Sequence, residues 1–370
     1  MRIALTVEAL SPNLSGIGRY TWELASRIGR SASIDDLTFY RDGRMWTDPA
    51  VFLSDAASPS RRRRFRLPRR LRKYVEDRGL RDRLFHGPNY FLPPRVEGGV
   101  ITVHDLSVFR FPESHPVERI RHFEREFASS IARAAHVITD SRTVRDEVIA
   151  FAGLAPERVT AVPLGVSEAF RPHEEDVLRP VLGRYGLEPD RYALCVSTLD
   201  PRKKIEELLA AWMDLPPDLH RMWPLVVIGS SGWLSDDLQA MLARGAEKGW
   251  VKYLGFVPET DLPALYAGAR LFVYPSIYEG FGLPPVEAMA SGVPVVISSA
   301  ACLVEVAQGA ALQVKPEDRE AFGKMLVQGL TDESWRASAR RQGLIVAASY
   351  CWDRCATETV SVYVNTVASR

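Results

Sequence analysis

Leu271-Phe-Val-Tyr-Pro-Ser-Ile-Tyr-Glu-Gly-Phe-Gly-Leu-Pro-Pro-Val-Glu287 reads as a strand, a loop and the start of a helix. The apolar run Leu271 to Tyr274 predicts the strand. Gly280 and Gly282 let the backbone come close to a ligand, and Pro284-Pro285 suit the first turn of a helix that ends at Gly292. A helix N-terminus presents unpaired N–H groups and the positive end of its dipole, so the loop before it is expected to receive an anion. A strand that feeds a glycine loop and then a helix is the repeating unit of a parallel α/β sheet, whose ligands sit at the carboxyl ends of the strands.

Two carboxylates, Glu279 and Glu287, flank this anion loop. A carboxylate repels phosphate unless it has hydroxyls from which to accept hydrogen bonds. A sugar nucleotide brings both kinds of group, with phosphates for the amides and ribose and sugar hydroxyls for the two acids. The plainer reading is a helix whose early glutamate complements the dipole, with Gly and Pro as loop punctuation.

Outward from this segment the chain repeats one theme: a short strand-like run, a loop with small residues, then an amphipathic helix. In the first half, Ile3 to Val7 leads through Ser15-Gly-Ile-Gly-Arg-Tyr20 into a helix over Thr21 to Ile28. Val100 to Val103 ends in His104-Asp105, and His136 to Thr139 leads to Asp140-Ser141, a cap for a helix over Thr143 to Phe151. Val159 to Val162 follows. The polar, proline-bearing stretch Phe170 to Asp176 reads as a linker, after which the theme restarts with Tyr192 to Val196, Leu225 to Ile228, Val251 to Leu254, Leu271 to Tyr274 and Val293 to Ile297. The expectation is an α/β protein of two Rossmann-like domains, residues 1–170 and 171–351, with parallel sheets facing a central cleft.

Bulk properties agree with an ordinary soluble enzyme. A chain of 370 residues exceeds one comfortable core. Hydrophobic content of 46% and charged content of 25% are those of globular proteins, and a net charge of +1 argues against a dedicated nucleic-acid binder. Charge is locally uneven: Arg61 to Arg83 holds twelve Lys/Arg and three acids. No stretch reaches the ~18 to 20 apolar residues of a membrane span, and the N-terminus reads as a strand, so a cytoplasmic location is expected. The cysteines Cys195, Cys302, Cys351 and Cys355 lack zinc-site spacing and are expected to be reduced.

Other groups can share the site. Arg202, Lys203 and Lys204 follow the strand Tyr192 to Val196 just before a helix, where cations oppose the dipole unless an anion lies near, so a diphosphate is the expected partner. His104-Asp105 ends a first-domain strand at the ligand edge. Gly16 and Gly18 permit close backbone approach, although their spacing departs from the dinucleotide fingerprint at Tyr20 and Thr21. With no Asp-x-Asp or His-x3-His in the chain, no metal cofactor is expected, and charge neutralisation falls to Arg202, Lys203 and helix amides.

Gly280-Phe-Gly-Leu283 between Glu279 and Glu287, with Ser197 to Lys204, Gly255-Phe-Val-Pro258 and Leu262 to Ala269, resembles family 4 of the retaining glycosyltransferases, which have the GT-B fold. The likeness runs through Gly16-Ile-Gly-Arg-Tyr20, His104-Asp105, Thr139-Asp-Ser141 and Pro163-Leu-Gly165. It implies that Glu287 binds the nucleotide ribose and Glu279 the donor sugar. By the same likeness the amides of Gly280, Phe281, Gly282 and Leu283 meet sugar hydroxyls and phosphate, Lys203 the diphosphate, His104 the sugar, and Val257 the base through its backbone. His104, Glu279 and Lys203 are then the catalytic set. Many members carry an arginine where this chain has Thr198, and Arg202 is the candidate substitute. The likeness also implies that a C-terminal helix, 352–370, completes the first domain, and that transfer is a metal-independent front-face displacement.

Gly-Ile-Gly-Arg-Tyr, His86-Gly-Pro-Asn-Tyr90 and Asp-Pro-Arg-Lys most resemble bacterial mannosyltransferases of surface-polysaccharide assembly. GDP-mannose is the first expected donor, with UDP-, dTDP- or ADP-sugars as alternatives, and a lipid-linked or oligosaccharide acceptor is implied. Arg61 to Lys73 is a candidate for contact with anionic headgroups at the inner face of the membrane, at ~1 kcal/mol per cation, or else a solvated loop. Rival readings are a sugar-nucleotide epimerase or hydrolase with Asp105 or His104 as the base, and a non-catalytic sugar-nucleotide-binding protein.

Overall fold

The computed structural model describes residues 1–54, 82–230 and 236–369. The expectation placed on Arg61 to Lys73 lies outside them. Two compact units emerge, one of residues 1–106, 117–165 and 352–370, the other of residues 107–116 and 166–351. The division follows Gly165 and precedes the sequence-based boundary at 170. Val166 already donates its N–H to the Tyr350 carbonyl at 3.1 Å and bridges to Cys351, which ties it to the second unit. Phe170 is buried against Tyr266, so the proline-bearing stretch begins as a packed segment.

The first unit holds a sheet of seven strands among the described residues. They are β1 (Arg2–Thr6), β2 (Asp36–Arg41), β3 (Arg44–Trp46), β4 (Leu84–Gly87), β5 (Gly99–Val103), β6 (Ala134–Thr139) and β7 (Val159–Ala161), in the order β3-β2-β1-β4-β5-β6-β7. Neighbours are parallel except β2 and β3. β1 and β5 are apolar and buried along almost their whole length, as strands covered by helices on both faces must be. The helix after β1 spans Gly16–Arg27 and starts before the predicted Thr21, because Ser15 caps it by accepting from the Gly18 N–H at 3.1 Å. Ser141 caps the helix Arg142–Ala152 in the same way. The C-terminal helix Trp352–Ala368 packs on Gly16–Arg27 and on β6.

Among the described residues the second unit is wound on six parallel strands. These are β8 (Ala193–Val196), β9 (Leu225–Ile228), β10 (Val251–Gly255), β11 (Leu271–Tyr274), β12 (Val295–Ser298) and β13 (Leu312–Val314), in the order β10-β9-β8-β11-β12-β13. Side chains alternate along β11. Leu271 and Val273 enter a core with Trp212, Leu225, Val227, Val296 and Phe322, while Phe272 and Tyr274 face the other layer. The strand order reverses between β8 and β11, and between β1 and β4 in the first unit. At such switch points successive helices leave to opposite faces and open a crevice at the carboxyl ends of the strands.

Candidate active site

The loops after β8 and β11 meet at the second unit's switch point. Beyond β8 the chain makes a 3-10 turn, Pro201–Lys203, whose start is fixed by Asp200 accepting from the Arg202 N–H at 3.1 Å. The Ile277 N–H donates to the Arg202 carbonyl at 3.0 Å and so ties the β8 turn to the β11 loop. Lys203 is thereby placed over the end of β11. Its ammonium donates to the Glu279 carboxylate and, at 3.1 Å, to the Tyr274 hydroxyl, which itself donates to the same Glu279 oxygen at 2.9 Å. All three side chains are buried or nearly so.

Burial alone would push the Glu279 carboxyl up. The charge of Lys203 outweighs it, aided by Arg202 and hydrogen bonds from Lys203 and Ser276, and holds the carboxyl below its ordinary value. Glu279 is therefore an anion across the neutral range. The Arg202 guanidinium reaches Asp200 at 3.4 Å and the Tyr278 carbonyl at 3.2 Å, and so braces the two loops.

Gly282 sits at φ +95° immediately before the helix Leu283–Ala290, and a Cβ there would lie 2.5 Å from Leu303 Cδ2. Only glycine meets both conditions without strain. The helix ends at Ala290, with Gly292 past it at φ +74°. Pro284 and Pro285 correct the amide count: neither has an N–H, so two of the first-turn donors expected from a helix N-terminus are missing. An anion at this loop would accordingly meet loop amides only up to Leu283.

Behind the loop runs an aromatic column. Tyr266 stacks on Phe272 with centroids 5.3 Å apart, and Phe272 on Tyr274 at 6.1 Å. The Tyr274 phenol donates to Glu279. Burial, and then the charge of Glu279, pushes the Tyr274 phenol well above its ordinary value, and burial with Glu287 does the same to Tyr266. Val257 is buried after β10, where Gly255 takes φ +64°.

In the first unit the sequence motifs converge on His104. Its Nδ1 pairs with Asp140 Oδ2 at 2.7 Å and its Nε2 with the Pro88 carbonyl at 2.8 Å. Tyr20 and Tyr90 lie edge-on to the ring at 5.1 and 5.6 Å. The Pro88 carbonyl only accepts, so Nε2 carries a proton, and a second proton is shared between Nδ1 and Asp140, whose own carboxyl is pushed up by burial. Burial pulls the His104 pKa down, but the charge and hydrogen bond of Asp140, with the Pro88 carbonyl, carry it above the ordinary value. Both ring nitrogens are thus engaged within the protein, by Asp140 and by the Pro88 carbonyl. His86 lies beside it, paired with Tyr363 Oη at 2.6 Å and Thr102 Oγ1 at 2.8 Å, and Tyr20 shares that Thr102 hydroxyl. Gly18 is pressed against the Ala9 carbonyl, where a Cβ would come within 2.9 Å, whereas Gly16 opens on space.

Two family descriptions match the chain: Glycosyltransferase Family 4 over residues 14–170 and Glycosyl transferases group 1 over residues 184–344. The O-antigen chain mannosyltransferase B of Escherichia coli is 38% identical over 379 residues, covering 98% of this chain and 99% of that protein. The chain is a family 4 glycosyltransferase. Among solved structures, the sucrose-phosphate synthase of Thermosynechococcus elongatus superposes with a TM-score of 0.72 at 20% identity, covering 100% of both chains. WaaG, a glycosyltransferase involved in lipopolysaccharide biosynthesis, gives 0.69 at 16% identity, covering 97% of this chain and 99% of that one. Likeness at such low identity carries the fold, GT-B with two parallel-sheet α/β domains.

For this glycosyltransferase the sequence located Glu279, Glu287, Lys203 and the glycine loop, and the second unit gathers them at one switch point. It missed Tyr274. Tyr274 reads as a core aromatic of an apolar run, and the available signal was that a buried phenol usually finds a polar partner. Among the described residues no cluster of three or more His, Cys, Asp or Glu has metal-binding geometry, and no helix is long and apolar enough to cross a membrane.

Proposed function

We propose that the chain transfers mannose from GDP-mannose, with retention of anomeric configuration and without a metal ion, to a lipid-linked or saccharide acceptor in O-antigen-type polysaccharide assembly. The observation that carries the reading is Lys203 against Glu279 at the β8/β11 switch point, a cation for a diphosphate beside an anion for sugar hydroxyls. Full-length likeness to an O-antigen chain mannosyltransferase supports mannose as the sugar.

In this reading Glu287 accepts from the ribose hydroxyls, the backbone around Val257 receives the base, and the Gly280 to Leu283 amides and Lys203 take the diphosphate. Glu279 accepts from the sugar hydroxyls. The acceptor oxygen bonds to the anomeric carbon on the face from which the phosphate leaves. The breaking carbon–oxygen bond gives its electron pair to the phosphate, and the acceptor proton moves to a phosphate oxygen. Lys203 and the loop amides stabilise the charge that grows on the leaving group. His104 is assigned to the donor sugar, and a hydrogen bond to a sugar hydroxyl requires one ring nitrogen to leave Asp140 or the Pro88 carbonyl.

Thermal stabilisation by GDP-, UDP-, dTDP- and ADP-sugars tests the donor, since a ligand that binds the native state raises its melting temperature. GDP-mannose is expected to give the largest shift, with an α-linked product from the α-linked donor and full activity after chelation. Stabilisation by UDP-sugars alone, an inverted product, or strict dependence on added metal would each overturn the corresponding part.

A further inference from the structure

Tyr274 ends β11 with its ring fixed in the stack on Phe272 and its hydroxyl 2.9 Å from Glu279 Oε1 and 3.1 Å from Lys203 Nζ. Two donors, a flexible ammonium and a rigid phenol, therefore share one carboxylate oxygen. We propose that Tyr274 is a positioning residue for sugar transfer, whose phenol keeps Glu279 aimed at the donor sugar's hydroxyls when Lys203 turns to the diphosphate. The role rests on the donor-site assignment made above.

Lys203 cannot spend its charge on Glu279 and on a leaving phosphate at once. Its four-carbon stem lets the ammonium shift, and a buried carboxylate left with the Ser276 hydroxyl alone would be more prone to protonate or swing away. The phenol prevents this because the strand and the aromatic stack hold it in place. With its ionisation pushed well up, it stays a neutral donor throughout the neutral range. Phenylalanine would fill the same volume and provide no donor.

The test is Tyr274→Phe, measured for donor affinity, kcat and the acid limb of kcat/KM, and repeated in a Glu279→Gln background as a double-mutant cycle. The expected result is a melting temperature close to the parent's, a loss of about 10- to 100-fold in kcat, and GDP affinity nearly unchanged. The acid limb should move to higher pH by about one unit as Glu279 loses a donor. In the Glu279→Gln background the same substitution should cost donor affinity little, and this comparison by binding alone serves even if turnover is lost. A Tyr274→Phe enzyme with the parent's kcat and acid limb, or an equal loss of donor affinity in both backgrounds, overturns the role. If Lys203→Ala and Glu279→Gln themselves transfer sugar like the parent, the donor-site assignment is wrong and Tyr274 falls with it.

Discussion

The ammonium of Lys203 is ion-paired with the carboxylate of Glu279, so the two charges that a sugar nucleotide would meet compensate each other in the protein itself. A nucleoside diphosphate without a sugar must take Lys203 from Glu279 and leave that carboxylate with fewer donors. The intact donor repays the exchange with sugar hydroxyls. Glu279→Gln is accordingly expected to bind GDP about tenfold more tightly than the parent while losing most of its transfer rate. Titration calorimetry with GDP checks this, and weaker GDP binding by the variant would contradict the compensation argument.

Glu287 lies in the second turn of the helix Leu283–Ala290 and is assigned to the ribose, which every nucleotide ligand shares. Glu287→Ala should therefore weaken GDP and GDP-mannose by the same factor, about 10- to 100-fold for a lost charge-assisted pair. Lys203→Ala should chiefly lower kcat. A change in the ratio of GDP to GDP-mannose affinities on mutating Glu287 would move it from the ribose to the sugar.

The parts legible in the sequence were those fixed by local chemistry. A glycine loop between strand and helix, cations at a helix start and apolar runs of strand length are each readable within about ten residues. β2 and β4 escaped. β2 is an Asp-Leu-Thr-Phe-Tyr-Arg run in which Phe39 alone is buried, and β4 contributes His86 to the interior, a residue that spoils an apolar pattern. The double commitment of His104 was invisible for another reason: Asp140 and Pro88 come from the ends of other strands, and only the β4-β5-β6 order brings them to the ring.

Gly282 combines a left-handed φ of +95° with Leu303 packed where a Cβ would go. Gly282→Ala should cost about 1 to 3 kcal/mol in urea denaturation, with a matching loss of donor affinity as the loop amides shift. Adding Leu303→Ala removes the steric part and leaves the backbone part. Full recovery in the double variant would show that the dihedral is not under strain.

His86 and His104 should pull stability in opposite directions with pH. Burial, followed by the charge of His104, lowers the His86 pKa to about 3, so the folded protein keeps this ring neutral where the unfolded chain, at 6.5, takes up a proton. The contribution is complete above 6.5 and is lost as pH falls toward 3, at ~1.4 kcal/mol per pH unit. His104 has the reverse sign: its folded pKa is raised, so its contribution is complete below 6.5 and is lost as pH rises through the folded value. Urea denaturation between pH 4 and pH 9 should thus show the acid-side slope flattened in His86→Gln and the alkaline-side slope flattened in His104→Gln. Glu279, held below its usual 4.5, adds to acid loss only beneath that value, and the window from 5 to 6.5 is shared by His86 and His136, whose pKa burial also lowers. An acid-side slope in that window unchanged by His86→Gln would mean that another group takes up the proton there.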